Sequence, residues 1–432
     1  MSRETLHNDI QTNGIIGPHS DMLGPVCDGG KIVFVTAPGC WGPMITPTIR
    51  GGHEVNMPVM VEGAERGDSI SITIEEIEVL SRAAGSGIDS PREGAYVGDP
   101  FVMKMCPSCK EPWPDYTVEG IGEDAVKCSK CGAVASPFKM VNGYTMVFDH
   151  EDGLGLTVDE DNAMGIAEDA WEWHSIPANS SQVPILIFGK ADIVGVFTRM
   201  RPFLGQIGTT PSVDIPDSHN AGDFGHMLID APHPYSITEE EYHRDLTDGH
   251  LDINSVGKGT TVIAPVKVEG GGVYAGDAHA MQGDGEVAGH TTDVTAKSTV
   301  SVEVIKDLNL NSPLILPPED ELPPLARTTT SEEWGRIQDL AREYGMEAEP
   351  SAPLQLVGSG PNINDAASKG FQRASELLEM SVEEVKNRVT ISGGVEIGRL
   401  PGMVTVTLQA PLRVLEAIGL DDLIVEKYEL PF

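Results

Sequence analysis

Strict alternation of polar and apolar residues is the feature that most limits what this chain can fold into. It runs through residues 69–79, 298–305 and 403–408. Because successive side chains of a strand point to opposite faces, a period of two indicates strands with one buried face. The 48 glycines and 31 prolines favour many short strands and turns over long helices. We therefore predict a mainly β fold.

Three apolar runs extend this pattern, because strands that are buried on both faces lose the alternation. The runs are Lys31–Val35, Pro184–Phe188 and Thr260–Ala264. Each of them predicts a buried strand.

Helical signals are concentrated after a connector rich in proline and acidic residues at 314–324. Residues 330–333 and 381–384 both have the spacing of a capping box. Asn364 can cap a third helix, which has one apolar face. That face consists of Ala367, Phe371, Ala374 and Leu378.

Two CxxC pairs predict a metal site in the first third of the chain. The four residues are Cys106, Cys109, Cys128 and Cys131. This spacing is typical of a zinc ribbon, in which four thiolates close a tetrahedron around a structural Zn²⁺ and leave no position for water. Two disulfides or a redox pair are the alternatives, and both suit a reducing compartment less well. Cys27 and Cys40 are interpreted as buried free thiols, while a nucleophilic role for one of them stays open.

These patterns divide the chain into four parts. Residues 1–100 form an N-terminal, β-rich part of the core, and residues 101–140 form a zinc-ribbon-like insertion. Residues 141–325 form the rest of the β-rich core. Residues 326–432 form an α+β C-terminal part.

The charge balance excludes two classes of partner. With 66 acidic and 29 basic residues the net charge is −37, which repels nucleic acids and anionic membranes. Adaptation to high salt, as in a halophilic source, is one explanation, and an ordinary acidic cytosolic enzyme is the other. The N-terminus has no apolar stretch typical of a secretory signal, and Lys190 and Asp192 interrupt the longest apolar stretch. We expect a soluble, cytoplasmic protein.

A glycine-rich segment at 276–286 concentrates groups that could carry chemistry. If a strand runs through Asp277 and His279, their side chains share one face. Turns at the following glycines then return Asp284 or Glu286 toward them. Carboxylates and an imidazole suit a divalent catalytic metal. The alternative is a glycine-rich loop with surface acids and one structural histidine.

The segment 276–286, GDAHAMQGDGE, resembles the signature of the acetamidase/formamidase family. Four further segments resemble stretches of that family in the same order: 57–69, 201–211, 249–254 and 364–400. The resemblance implies a sandwich-like or jelly-roll-type β core and a homo-oligomer, commonly a dimer. It also implies the hydrolysis of a short aliphatic amide, formamide or acetamide, to ammonia and a carboxylate. Residues 1–100 and 141–325 are then the catalytic core, with the metal and amide site in residues 141–325.

The resemblance also implies roles for particular residues. Asp277 and His279 correspond to ligands of a divalent catalytic metal, for which we expect Zn²⁺ although such ligands accept several metals. Glu286 corresponds to a third ligand or the general base. These three are the expected catalytic residues. Asp252 corresponds to a pocket or metal residue.

Several other residues are expected around the substrate pocket. His250 stands where the family has an asparagine, which favours a changed substrate. His53 and Gln282 are further pocket candidates, and so is the segment 219–226 with its two histidines. Two alternatives to a formamidase or acetamidase stay open: the same fold acting on another amide or C–N bond, and a non-catalytic subunit that binds partners through the zinc module.

Overall fold

The structure is a computed structural model, and it describes residues 2–39, 45–49 and 51–432. It consists mostly of β-sheet with several helices. The strands are β1 (Arg3–Asn8), β2 (Ile15–Ile16), β3 (Leu23–Thr36), β4 (Val59–Val61), β5 (Ser69–Val79), β6 (Ala83–Pro91), β7 (Tyr116–Val118), β8 (Val126–Cys128), β9 (Phe138–Asp149), β10 (Leu154–Thr157), β11 (Phe197–Arg199), β12 (Phe203–Gly208), β13 (Ile215–Pro216), β14 (Thr261–Pro265), β15 (Tyr274–His279), β16 (Ala296–Ile305), β17 (Leu314–Leu316), β18 (Ser351–Ser359), β19 (Gly394–Arg399) and β20 (Met403–Pro411).

The helices are fewer and cluster toward the C-terminus. They are α1 (Glu160–Glu168), α2 (Ala170–His174), α3 (Gly222–His226), α4 (Glu239–Asp245), α5 (Ser331–Glu343), α6 (Ile363–Leu377), α7 (Val382–Ser392), α8 (Leu412–Ala417) and α9 (Asp421–Tyr428). Within the described ranges, no helix combines the length and the apolar character that crossing a membrane requires.

A ten-stranded sheet forms the body of the protein. Its strands follow the order β1-β3-β16-β5-β14-β17-β18-β20-β19, and β4 pairs with β3. Pairing is antiparallel except between β1 and β3 and between β3 and β4. The sheet is open at both ends, and a sandwich-like or jelly-roll-type arrangement of the core stays a prediction.

The alternating segments confirm the prediction of strands. Residues 69–79 form β5, which lies between β16 and β14, and the other two segments lie within β16 and β20. Ile70 and Ile72 are 0% exposed and Ser69 and Ser71 are buried too, so the first half of β5 is covered on both faces. The Ser69 hydroxyl is satisfied there by the Leu308 carbonyl.

The run Pro184–Phe188 is not a strand, so that prediction was wrong. Pro184–Leu186 forms a 3-10 turn that ends in buried apolar residues. An apolar run reports burial but not backbone period, and the proline that opens this one has no N–H to donate to a ladder.

A second sheet, in the order β11-β10-β9-β6, holds the cysteine-rich segment at its edge. β6 and β9 pair along their length, so residues 92–137 are inserted between two neighbouring strands. The insertion contains the short antiparallel pair of β7 and β8.

The C-terminal part extends the main sheet. β18 pairs with β17 and β20, and α6 packs on β18 and β20. The capping box of Thr330 and Glu333 is confirmed at the start of α5. Ser381 caps α7 through the Glu384 N–H, whereas α6 is capped by Asn362 rather than Asn364 because the helix starts two residues earlier than predicted, at Ile363.

We expect Ile72→Ala to lower the free energy of unfolding by about 2–5 kcal/mol, because it leaves a cavity at the centre of the main sheet. Ile391→Ala is the matched control, since Ile391 is 74% exposed and its loss should change stability by less than about 0.5 kcal/mol. Urea unfolding followed by circular dichroism measures both. Similar losses in the two variants would contradict the assignment of the core.

Candidate active site

The candidate site is built on the antiparallel pair of β12 and β15, which is buried along its whole length. Asp277 and His279 come from β15, and both are 0% exposed. Asp277 Oδ1 lies 3.1 Å from His279 Nε2, so the two side chains are close together as predicted. Asp277 has a φ of 52°, a left-handed value that aspartate tolerates better than most residues.

Two glycines leave the space that the carboxylates occupy. A Cβ at Gly39 would lie 1.8 Å from Asp277 Oδ1, and a Cβ at Gly205 would lie 2.3 Å from Asp252 Oδ1. Any side chain at either position would displace a carboxylate. The backbone can approach the site this closely only because these residues lack a Cβ.

Two histidines from other parts of the chain approach the same carboxylate. Asp277 Oδ2 lies 3.6 Å from His250 Nε2 and 3.8 Å from His53 Nδ1. On the other side, His279 Nε2 lies 3.0 Å from Asp293 Oδ1. Asp277 is therefore surrounded by three imidazoles.

Asp252 and Arg399 border this cluster. Asp252 Oδ2 lies 2.9 Å from His250 Nε2 and accepts a hydrogen bond from Arg399 Nη1. Arg399 is 1% exposed and also donates to Asp223, over an Nη2–Oδ1 distance of 2.7 Å. Sequence reasoning missed Arg399 and Asp293. The only signal for Arg399 was its place at the end of the segment 364–400.

A 3-10 turn at Asp217–His219 positions the two outer histidines. Asp217 Oδ1 accepts a hydrogen bond of 2.8 Å from the backbone N–H of His53. The Ser218 carbonyl oxygen lies 2.6 Å from His250 Nδ1. A carbonyl only accepts, so His250 donates from Nδ1 and turns Nε2 toward the carboxylates.

A cavity of about 190 Å³ adjoins the cluster. This volume corresponds to roughly six water molecules. The groups that line it include Phe101, Phe224, Ser218, His53, His250 and Asp252. Three predicted pocket residues, His53, His250 and Asp252, therefore line this cavity.

Other predicted residues lie elsewhere. Gln282 donates to the Asp252 carbonyl at 2.8 Å and lies outside the cavity lining. Glu286 is 3% exposed and interacts electrostatically with Asp252 and His279. From the segment 219–226, His219 is buried and His226 is exposed. Of the two remaining thiols, Cys27 is half-buried in β3, whereas Cys40 lies outside the described residues.

Burial and neighbouring charges give the carboxyl groups of the site opposite acidities. Burial disfavours the ionised form of Asp277, but His53 and His279 outweigh it and hold the pKa of Asp277 well below its usual range. Burial, reinforced by Asp252, raises the pKa of Glu286 well above its usual range. Burial also lowers the pKa of His53 to about 4. Groups with such separated acidities are suited to acid–base chemistry.

At the candidate site, two sets of side chains offer atoms close enough to hold a metal ion. One set is His53, His250 and Asp277, and the other is Asp252, Asp277 and His279; within each set the atoms lie within 4.8 Å of one another. Asp252 Oδ1 is buried without a hydrogen-bond partner among the described residues. Carboxylate and imidazole donors of this kind fit a divalent cation. Glu286 belongs to neither set.

The four cysteines of the insertion form a separate cluster. Their sulfur atoms lie within 4.8 Å of one another, with Sγ–Sγ distances of 3.6 Å between Cys106 and Cys131 and 3.9 Å between Cys109 and Cys128. Tetrahedral Zn–S bonds of about 2.3 Å would separate sulfurs by roughly 3.8 Å. All four are free thiols, so the cluster fits a metal and the disulfide alternative is not found.

Comparison with known proteins identifies the family. The family model of the acetamidase/formamidase family matches residues 6–417. The chain belongs to the acetamidase/formamidase family. Enzymes of this family are hydrolases that act on amide C–N bonds.

Individual relatives of the family are distant. A protein of Schizosaccharomyces pombe with a provisional name of formamidase is 24% identical over 208 residues, which are 40% of this chain and 48% of that protein. The chain thus matches about half the length of this curated relative.

Solved structures extend the comparison to nearly the whole fold. A recombinant predicted acetamidase/formamidase from the thermophile Thermoanaerobacter tengcongensis has a TM-score of 0.52 at 18% identity and covers 96% of this chain and 98% of its own. An acetamidase from Bacillus halodurans has a TM-score of 0.51 at 16% identity, with coverage of 96% and 99%. At these identities the likeness concerns the fold.

Replacing Arg399 with methionine should lower the free energy of unfolding by about 3–5 kcal/mol, because Asp223 and Asp252 would stay buried without their cation. Arg336→Met is the control, since Arg336 pairs with Glu332 on an exposed helix face and its loss should cost less than about 1 kcal/mol. Urea titrations of both variants make the comparison. A loss at Arg399 as small as that at Arg336 would show that the buried network does not depend on this guanidinium.

Proposed function

We propose that this chain hydrolyses a short aliphatic amide, formamide or acetamide, to ammonia and the carboxylate, with a divalent metal held by the buried cluster. The observation that carries the proposal is the juxtaposition of a carboxylate–imidazole cluster with a cavity of about 190 Å³. Drug-sized ligands need roughly 300–1,000 Å³. The cavity therefore suits a substrate of only a few heavy atoms.

The residues that would hold the metal are those of the two ligand sets. Asp277 belongs to both sets, so a metal held by either set would use its carboxylate. A divalent metal held there would supply Lewis-acid polarisation of the amide carbonyl and would lower the pKa of water. Zn²⁺ is our first expectation, because it accepts both imidazole and carboxylate.

The chain's own residues then move the protons. We assign Glu286 as the group that takes a proton from the attacking water and returns it to the departing ammonia. Arg399 holds Asp252, and the 217–219 turn holds His53 and His250. Phe101 and Phe224 line the cavity on its apolar side and exclude bulk water, which strengthens every polar interaction inside.

A different amide substrate remains the second candidate. His250 stands where the family has an asparagine and contributes an imidazole to one of the ligand sets, which would change how a substrate is held. A non-catalytic binding subunit is the weaker alternative, since it has no need for this buried cluster. A panel of linear and cyclic amides, each assayed by ammonia release, separates the three.

For the four-cysteine cluster we propose a structural Zn²⁺. The insertion buries few apolar residues of its own, so a metal would supply most of its stability. The homodimer expected from the family stays a prediction, which light scattering coupled to gel filtration checks.

We expect Asp277→Asn and His279→Ala to abolish ammonia release from formamide and acetamide, and Glu286→Gln to lower kcat by about 10²–10⁴-fold. A chelator should remove activity and a divalent metal should restore it. Asp284→Asn is the matched control, because Asp284 lies in the same loop but is exposed. Near wild-type turnover in the first three variants would contradict the assignment of Asp277, His279 and Glu286 as catalytic residues.

Cys128→Ser should lower the zinc content by about one ion per chain, because a four-thiolate site loses most of its affinity with one ligand. Cys27→Ser should leave the zinc content unchanged. Elemental analysis of the purified variants measures both. Unchanged zinc in Cys128→Ser would rule out a metal at the cluster.

A further inference from the structure

Ser218, which lines the substrate cavity, belongs to a second chain of polar groups. Its Oγ lies 3.0 Å from His219 Nδ1, and His219 Nε2 lies 2.6 Å from Asp99 Oδ2. His219 is 0% exposed and Asp99 is 3% exposed. This Ser–His–Asp chain lies outside both sets of possible metal ligands, and the mechanism above does not use it.

The direction of its hydrogen bonds follows from the carboxylate. Asp99 also accepts a 2.9 Å hydrogen bond from the backbone N–H of Phe101. An ionised carboxylate only accepts, so His219 donates from Nε2. In the tautomer whose single proton is on Nε2, Nδ1 is an acceptor and the Ser218 hydroxyl donates inward to His219. Two lone pairs on Ser218 Oγ remain for other partners.

The surroundings leave room for the hydroxyl in this position. A Cβ at Gly52, another residue of the cavity lining, would lie 2.0 Å from Ser218 Oγ. Any side chain at Gly52 would therefore displace the hydroxyl. The imidazole itself is fixed by ring contacts, with centroid separations of 6.0 Å to Phe224 and 6.5 Å to Phe101.

A primary amide presents one carbonyl acceptor and two N–H donors. Its carbonyl requires a cation or a donor, whereas its N–H groups require acceptors. In a small, largely apolar cavity an unmatched N–H is costly, so a correctly placed acceptor distinguishes amides from isosteres that lack the N–H.

We propose that Ser218 Oγ accepts a hydrogen bond from the N–H of the substrate amide, and that His219 and Asp99 are positioning residues that fix this polarity. The inference rests on the proposed function, since it assigns the specificity of that same site. Ser218 thus becomes the residue that selects amides over esters.

The test compares a small primary amide with a small ester. In Ser218→Ala, kcat/KM for formamide should fall by about 10–100-fold. The inhibition constant of methyl formate, which has no N–H, should stay within about twofold of wild type. Ser212→Ala is the matched control, because this half-buried hydroxyl bonds to Asp245 at 2.8 Å and should leave both quantities unchanged.

The positioning residues have their own comparison. His219→Asn keeps an oxygen acceptor near the position of Nδ1 and should retain more amide activity than His219→Phe, which has no acceptor. Both variants should bind methyl formate as the wild type does. Equal losses in the two variants would show that the imidazole only fills space.

Three results overturn the inference. They are equal weakening for amide and ester in Ser218→Ala, no effect on either, and an acyl group on Ser218 detected by mass spectrometry, which would make the serine a nucleophile. A wild-type enzyme that releases no ammonia from any amide removes the proposed function itself and the inference with it. If the wild type releases ammonia and Ser218→Ala changes neither kcat/KM nor the inhibition constant, the inference is wrong but the proposed function is not.

Discussion

The rest of this structure depends on one constraint: negatively charged side chains are concentrated in the buried candidate active site. Six carboxyl groups are at most 5% exposed around the site: Asp217, Asp223, Asp252, Asp277, Glu286 and Asp293. An unpaired charge in such surroundings is very costly. One guanidinium, Arg399, and the imidazoles of His250 and His279, whose pKa values are raised, offset part of this charge. A bound divalent cation would offset more of it, so the cluster is better matched to a metal than to an empty interior.

The fold positions these charges through rigid elements. The paired strands β12 and β15 fix Asp277 and His279, and glycines at two positions allow the backbone to approach. His53 and His250 come from loops, and the turn at 217–219 binds both through its side-chain and backbone oxygens. Since a single short turn orients two candidate ligands and places Ser218 at the cavity, small shifts in it would alter ligation and substrate binding together.

Sequence reasoning succeeded where the determinant is local. Period-two alternation located β5, β16 and β20. The same period placed Asp277 and His279 on one face of a strand, and the two side chains are indeed close together. It failed where partners are distant, because Arg399 reaches an aspartate 147 residues earlier and nothing near Arg399 in the sequence indicates that contact. The prediction of a strand at Pro184 was wrong for a different reason. Strands and turns can both be buried, and only pairing with a neighbouring strand distinguishes them.

The cysteine-rich insertion is connected to the site by its first residues. Asp99 binds His219, and Phe101 lines the cavity, and both lie in the segment that leads from β6 into the insertion. An insertion with so small a core loses order easily unless a crosslink restrains it. A closed four-sulfur site would restrain residues 106–131 and thereby the segment just before them. Cysteines that cannot take part in the chemistry would then still determine how well the pocket holds an amide.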